Sequence, residues 1–298
     1  MKLALKIDVD TFRGTREGIL PLVSLLQKMG AQATFLFSLG KDHTGWAMKR
    51  VFKPGFMKKV SRTSVLEHYG LKTLLYGTLL PGPDIGRRCS ELMRQVRSEG
   101  FEVGIHTYDH VKWQNNVFDQ DAAWTAREML AACKRFEEIF DEPAHIHGAA
   151  GWQMNPHAFR LTQKLGFRYA SDTRGTSPFI PVQDAEIIAC PQLPTTLPTL
   201  DEVMGLDEDA ASHLLRLSEN PLKTGHVYTL HAELEGMKLI GTFETLLLGW
   251  KSMGYELVSM QQYFESLAGE SLPRHEVVYG EIPRRAGKLA LQGNEFLG

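Results

Sequence analysis

The sequence predicts an α/β protein: a distorted (β/α) barrel of seven or eight strands with a long insertion after the second strand. Short apolar, β-favouring runs alternate with amphipathic helical stretches along nearly all of the 298 residues, the pattern of a parallel sheet covered by helices. In addition, Asp8 and Asp10, His106, Asp172 and His231 stand at the carboxyl ends of different predicted strands. In a barrel those ends converge on one mouth, where barrel enzymes keep their chemistry.

The elements follow in order. LALKIDV (3–9) is the first strand, and residues 15–29 carry Ile19, Leu22, Val23, Leu26 and Met29 at helical spacing up to the stop at Gly30. ATFLF (33–37) is the second strand. A helix over 84–99 places Ile85, Cys89, Leu92, Met93 and Val96 on one face and closes at Gly100 before FEVGI (101–105). Residues 121–140 form a helix through Trp124, Met129, Cys133, Phe136 and Phe140, followed by a short strand near 144–148. Asn155 then Pro156 is a helix start, a cap followed by proline in the first turn, and Gly166 ends that helix. FRYAS (167–171), EIIAC (186–190), HVYTL (226–230) and YELVS (255–259) complete the strands, with helices near 207–218 and 237–252. The barrel is expected over 1–268, including the insertion 41–83, and residues 269–298 form a tail with little periodicity.

Composition narrows the function. With 43% hydrophobic and 23% charged residues the chain is close to the globular average. Thirty-three Lys+Arg against 35 Asp+Glu leave a net charge of −2, without the bulk basicity of a nucleic-acid binder. Cys89, Cys133 and Cys190 are far apart and form no Cys-x-x-Cys. That excludes a disulfide scaffold or cysteine zinc module and fits a reducing compartment. Lys6 and Asp8 interrupt the first apolar run before a signal-peptide core of about 7–15 residues is complete. No segment approaches the roughly 18–20 apolar residues of a membrane span. The expectation is a cytosolic protein, or one lying on a membrane without crossing it.

The chemistry is concentrated in two motifs. His106-Thr107-Tyr108-Asp109-His110 sets two histidines at i and i+4, on one face of a helical turn and close enough to share a metal. Imidazole suits zinc and its neighbours; the bland alternative is a pair of surface or core histidines. In Asp8-Val9-Asp10, strand alternation puts both carboxylates on one face, where burial is expensive unless a cation or proton is present. One aspartate with two histidines leaves positions open for water and substrate, as a catalytic metal requires, and frees the other aspartate to act as a base. His231 and Asp172 are weak signals singly, since such residues often bond or cap locally. Together at one mouth they suggest an acid, His231, held by a carboxylate. His145 and His147 share a strand face and read as structural, or as supports behind the site.

The insertion is distinctive. From Lys41 to Gly82 it holds eight basic residues against Asp42 and Glu67, a local +6, interleaved with Trp46, Phe52, Phe56 and several leucines. Such a mixture describes an element at a membrane interface, where each cation near an anionic leaflet is worth about 1 kcal/mol. Lys49, Arg50, Lys53, Lys58, Lys59 and Arg62 are the candidate contacts with an anionic membrane surface. The alternative is a solvated lid.

These motifs resemble the polysaccharide deacetylase (NodB-homology, carbohydrate esterase family 4) superfamily. Its second motif, H-[ST]-x-x-H, is matched by His106, Thr107 and His110, and its last, Leu-His, by Leu230-His231. DVDTFRGTREG (8–18), GTLLPGPDIG (77–86), AAGW (149–152), SDTRG (171–175), LPTTLPTLDEV (193–203) and HAELEG (231–236) resemble the branch that deformylates undecaprenyl-phosphate-linked 4-deoxy-4-formamido-L-arabinose for lipid A modification. The resemblance covers about residues 1–268. It implies Asp8 as general base, Asp10, His106 and His110 as ligands of a divalent metal (zinc, or manganese, cobalt or nickel), and His231 as general acid oriented by Asp172. It also implies a peripheral enzyme on the cytoplasmic face of the bacterial inner membrane, with other sugar N-deacetylases or cyclic-amide hydrolases as alternatives. The chain departs from the superfamily in two places. Val9 separates the first-motif aspartates, and Ala149-Ala150-Gly151-Trp152 stands where an arginine usually tunes the base. Arg174 is the expected substitute. Trp152 is expected to wall a small acyl pocket, and Tyr108 to contact substrate.

Overall fold

β1 (Lys2–Val9) is the strand on which the sheet is assembled. Leu3, Ala4, Leu5, Ile7 and Val9 are all buried, as expected of a parallel strand covered on both faces. In the computed structural model, which describes residues 1–51, 70–206 and 209–297 with the side chains of 48–51 excepted, β8 (His226–His231) pairs parallel to one edge of β1, from Leu3 opposite His226 to Asp8 opposite His231. The other edge is shared. β9 (Glu256–Val258) takes Lys2–Ala4, and β2 (Thr34–Ser38) takes Lys6–Val9. β3 (Glu102–Thr107), β4 (Ile146–His147) and β5 (Tyr169–Ala170) continue the sheet, giving the order β5-β4-β3-β2-β1-β8. All these pairings are parallel, so the carboxyl ends share one rim of a curled, barrel-like sheet.

Residues 191–197 lie between the two ends of this order. The Leu193 amide donates to the Ala170 carbonyl at 2.8 Å, and the Thr196 amide to Val227 at 3.0 Å. Pro191 and Pro194 lack amide donors, so this segment bridges β5 to β8 without forming a regular strand. The helices follow the sequence pattern. Ile19–Met29 buries Ile19, Leu22, Leu26 and Met29 and ends at Gly30, whose φ of 59° suits glycine. Asp121 and Asn155 cap Ala122–Phe140 and Pro156–Lys164. Cys89 divides the expected helix over 84–99 into Ile85–Arg88 and Ser90–Ser98.

Two expectations need correction. EIIAC supplies no barrel strand: β7 (Glu186–Ile187) pairs antiparallel with β6 (Ile180–Gln183) in a separate four-stranded sheet, β11-β10-β6-β7. The remainder of that sheet comes from 269–298, which folds into β10 (Arg274–Gly280) and β11 (Leu289–Glu295). Only Val277, Leu289 and Ala290 of this hairpin are buried hydrophobics, too few to produce a period. The backbone pairing is tertiary, with the Arg174 amide donating to Ala290 at 3.0 Å and Gln292 to Arg174 at 2.8 Å.

The insertion leaves the rim after β2 and returns through a neck, where Lys41 bridges Asp84 and the Asp42 amide donates to Pro83 at 2.9 Å. Its described parts include helices Thr44–Val51 and Leu71–Leu75. Lys49 and Arg50 lie in the first, with side chains outside the description; Lys53, Lys58, Lys59 and Arg62 lie outside the described residues. No described helix is long and apolar enough to cross a membrane.

Gly104, two residues before His106 in β3, is required by packing. A Cβ there would come 2.4 Å from Ile146 Cγ2 and 2.8 Å from Leu36 Cδ2. Gly104→Ala is therefore expected to lower stability by about 1–3 kcal/mol through overpacking. Urea unfolding of the two proteins checks this; equal midpoints would show that the neighbours yield.

Candidate active site

β1 delivers Asp8 and, just beyond its end, Asp10 to the rim. Both are buried, and His106, at the end of β3, is 1% exposed. The His106 Nδ1–H donates to the Gly148 carbonyl at 2.6 Å, leaving Nε2 directed at Asp10 Oδ1, 3.2 Å away. Such a bond at one ring nitrogen fixes the tautomer that makes the other a ligand. His110 Nε2 lies 3.3 Å from Asp10 Oδ2.

The two histidines meet by a different route from the one their spacing implies. His106 is on a strand and His110 opens the helix His110–Asn116, because Asp109 is its N-cap and accepts the Lys112 amide at 3.0 Å. Across this strand–turn–helix junction the rings stand 5.2 Å apart. Ligand atoms of Asp10, His106 and His110 all lie within 4.8 Å of one another. Asp10 Oδ1 is buried with no hydrogen-bond partner among the described residues. A carboxylate set between two imidazoles, with one oxygen orphaned, is a donor set that fits a divalent cation. Burial opposes charge on Asp10, yet His110 and then His106 hold its carboxyl well below the usual range. Burial likewise opposes charge on His106, but Asp8 and Asp10 raise it overall. Glu233 steadies the loop, its Oε1 accepting the amides of Asp10 at 3.0 Å and Thr11 at 2.6 Å.

The cation beside Asp8 is Lys6. It shares a face of β1 with Asp8 and is completely buried. Its Nζ lies 3.4 Å from Asp8 Oδ2, donates to the Ser171 carbonyl at 3.2 Å and stands 5.1 Å from the Trp152 ring centroid. Arg174, expected in this role, is engaged elsewhere. Its Nη1 bonds Glu202 Oε1 at 2.7 Å and its Nη2 the Leu197 carbonyl at 3.2 Å.

Asp172 also departs from expectation. It is fully buried, accepting from His147 Nδ1 at 2.7 Å, the Ala149 amide at 2.8 Å and Gln192 Nε2 at 3.2 Å. β5 adjoins β4, so a carboxylate just past its end meets His147 rather than His231. The carboxylate near His231 is Asp201, with Oδ1 4.0 Å from His231 Nδ1. Partial desolvation in the cavity raises the Asp201 carboxyl, but Arg285 and then His231 outweigh this and hold it below its ordinary range. Glu235 Oε2 accepts the His231 amide at 3.0 Å; burial above all pushes this carboxyl up to about 7.

These groups line a cavity of about 130 Å³ formed by Asp8, Asp10, His106, His110, Trp152, Asp201, His231 and Arg285, with Gln114, Gly151 and Leu234. Trp152 is the expected wall. It adopts φ 53°, a left-handed conformation uncommon for a bulky residue, and donates its indole N–H to Thr195 Oγ1 at 3.0 Å. Tyr108 does not line the cavity. Its carbonyl accepts the Gly40 amide at 2.6 Å and its ring faces Arg135. Of the residues that sequence reasoning missed, Lys6 was visible as a cation in an apolar strand. Asp201 sits in a Thr199-x-x-Glu202 capping box, a readable helix start. Arg285 has no local signal.

The polysaccharide deacetylase family model matches residues 13–170. The chain belongs to the polysaccharide deacetylase family. A Shewanella sediminis protein named as a 4-deoxy-4-formamido-L-arabinose-phosphoundecaprenol deformylase, ArnD, is 35% identical over 98% of this chain and 95% of its own length. A Wigglesworthia glossinidia brevipalpis protein of the same name is 31% identical over 94% of this chain and 98% of its own. Among solved structures, a Mycobacterium smegmatis protein described as a polysaccharide deacetylase shares the fold, with TM-score 0.64, 17% identity and 94% of each chain covered. At 98% of this chain, the Shewanella match extends the family likeness beyond residue 268 into the terminal hairpin.

Removing the cation from the Lys6–Asp8 pair leaves a buried carboxylate without its partner. Lys6→Met is expected to cost about 3–5 kcal/mol, measured by denaturant unfolding. A change below about 0.5 kcal/mol would show that Asp8 does not depend on Lys6.

Proposed function

We propose that this protein is a divalent-metal-dependent hydrolase that removes the formyl group from undecaprenyl-phosphate-linked 4-deoxy-4-formamido-L-arabinose, releasing formate and the free amino sugar. The observation that carries this reading is the Asp10–His106–His110 donor set, sharing one small cavity with Asp8 and His231. The relatives named for this deformylation support the substrate.

Asp10, His106 and His110 would hold the cation, and two imidazoles with a carboxylate suit zinc, with manganese, cobalt or nickel as alternatives. When bound, such a cation polarises the formamide carbonyl and lowers the pKa of water toward about 7. Asp8, paired with Lys6, accepts the proton of the attacking water. The water oxygen bonds the formyl carbon as the C–N bond breaks. His231, register-matched to Asp8 across β1 and β8, gives a proton to the departing sugar nitrogen. Asp201 is the carboxylate we assign to His231, in place of Asp172. Trp152 limits the cavity to a small acyl group.

Mass spectrometry of the protein incubated with the lipid-linked formamido sugar should record loss of the formyl mass. Asp8→Asn should retain metal while turnover falls by about 10²–10⁴-fold, whereas His110→Ala should lose tight metal binding. Metal loss in Asp8→Asn but not Asp10→Asn would reverse those two roles, and turnover of acetamido sugars alone would move the enzyme to another substrate.

The lipid tail places the substrate at a bilayer, and we assign the basic insertion to the anionic cytoplasmic face of the inner membrane. Its root supports this: His43 Nδ1 lies 2.5 Å from Asp109, the residue before His110, so the insertion rises from the catalytic rim. Sedimentation with anionic vesicles should show binding that weakens with salt and with Lys58, Lys59 and Arg62 changed to Glu. Unchanged binding of that variant would make the insertion a lid.

A further inference from the structure

The loop joining β10 to β11 returns to the catalytic rim and inserts two arginines beside the short helix Leu200–Val203. Arg284 donates from Nη1 to the carbonyls of Glu202, at 3.1 Å, and Met204. Arg285 reaches further in. Its Nη2 bonds Asp201 Oδ1 at 2.9 Å and the Thr199 hydroxyl, its Nε bonds Glu202 Oε1 at 2.5 Å, and its guanidinium lies 5.0 Å from the Trp152 ring centroid. The Asp201 oxygen it holds is the one that faces His231 Nδ1 at 4.0 Å. That Nδ1 is buried and has no hydrogen-bond partner among the described residues.

We propose that Arg285 is a positioning residue for the reaction, fixing Asp201 against the Nδ1 side of His231, so that the C-terminal hairpin is a working part of the active site. The proposal rests on the assignment of His231 as proton donor. Its physical basis is the weakness of the element that carries Asp201. A four-residue helix is one turn, too short to be stable alone, and the Asp201 side chain is 36% exposed. Without an anchor its carboxylate would sample many rotamers. A planar guanidinium can grip two adjacent carboxylates and stack on an indole at once, which an ammonium cannot. The Thr199 hydroxyl, donating to Asp201 Oδ1 at 2.6 Å, supplies a second restraint on the same oxygen.

The test uses the full-length, metal-loaded protein with Arg285→Met, Arg285→Lys, Asp201→Asn and the Arg285→Met/Asp201→Asn double variant. Each is assayed on the formamide substrate and on an activated formate ester, whose leaving group needs no proton. Arg285→Met should lower kcat on the formamide by about 10–100-fold, the size usual for losing an orienting partner, with the ester rate and metal content unchanged. Arg285→Lys should recover part of the loss, and the double variant should be no slower than Asp201→Asn, because the two residues act as one unit. Equal losses on amide and ester, a rise in KM with kcat unchanged, or additive losses in the double variant would overturn the proposal. The rise in KM would make Arg285 a direct substrate contact. A readout without turnover keeps the question separate from that of the substrate. The ring ¹⁵N resonances of His231 should move alike in Arg285→Met and Asp201→Asn and return toward the original in Arg285→Lys. Wild-type inactivity on the lipid-linked formamide would overturn the proposed function, whereas unmoved His231 resonances would overturn the role of Arg285.

Discussion

Two carboxylates buried at the end of one central strand impose the condition that the rest of the site satisfies. Isolated charges in a protein interior are expensive, and a like-charged pair more so. Asp8 is met by Lys6 from its own strand face, and Asp10 by His106 and His110. Glu233 takes the backbone amides of the loop that Asp10 begins. The candidate cation site and the proposed base are thus two outcomes of a single electrostatic problem, solved separately for each carboxylate.

Packing turns that solution into geometry. Gly148 is where the two meet: a Cβ there would fall 2.4 Å from Leu36 Cδ1 and 3.0 Å from Lys6 Cε. Its bare α-carbon makes room for the lysine stem, while its carbonyl fixes the His106 ring. Across β1 and β8 the parallel register sets Asp8 beside His231, so the proposed base and the proposed acid are placed by backbone hydrogen bonds, which are less deformable than loops. The opposite wall is less regular, with Gly151 and Trp152 both at positive φ. Lys6, Arg174 and Arg285 all lie about 5 Å from the Trp152 ring, an arrangement in which cation–π attraction offsets part of the cost of that backbone.

The second sheet extends the site beyond the strands that carry the motifs. β10 and β11 are tied to the chain after β5 by main-chain bonds through Arg174. Their connecting loop then reaches Thr199, Asp201 and Glu202. The surroundings of His231 therefore depend on chain distant from it in sequence.

The sequence by itself determined the alternating fold, most element boundaries and the principal groups of the candidate site, because each has a local cause. Buried parallel strands need apolar runs, helix ends need Gly30 or Asn155, and Asp8, Asp10, His106 and His110 sit close together in two short motifs. Tertiary structure alone decided the partners. Asp172 bonds His147 because β5 adjoins β4, Arg174 is drawn away from Asp8 by Glu202 and the Leu197 carbonyl, and Asp201 and Arg285 flank His231 from separate segments. EIIAC and the terminal hairpin depart from the sequence pattern for the same reason. Hydrophobic period reports how a segment faces its surroundings, whereas strand pairing and charge pairing depend on which distant segment folding brings alongside.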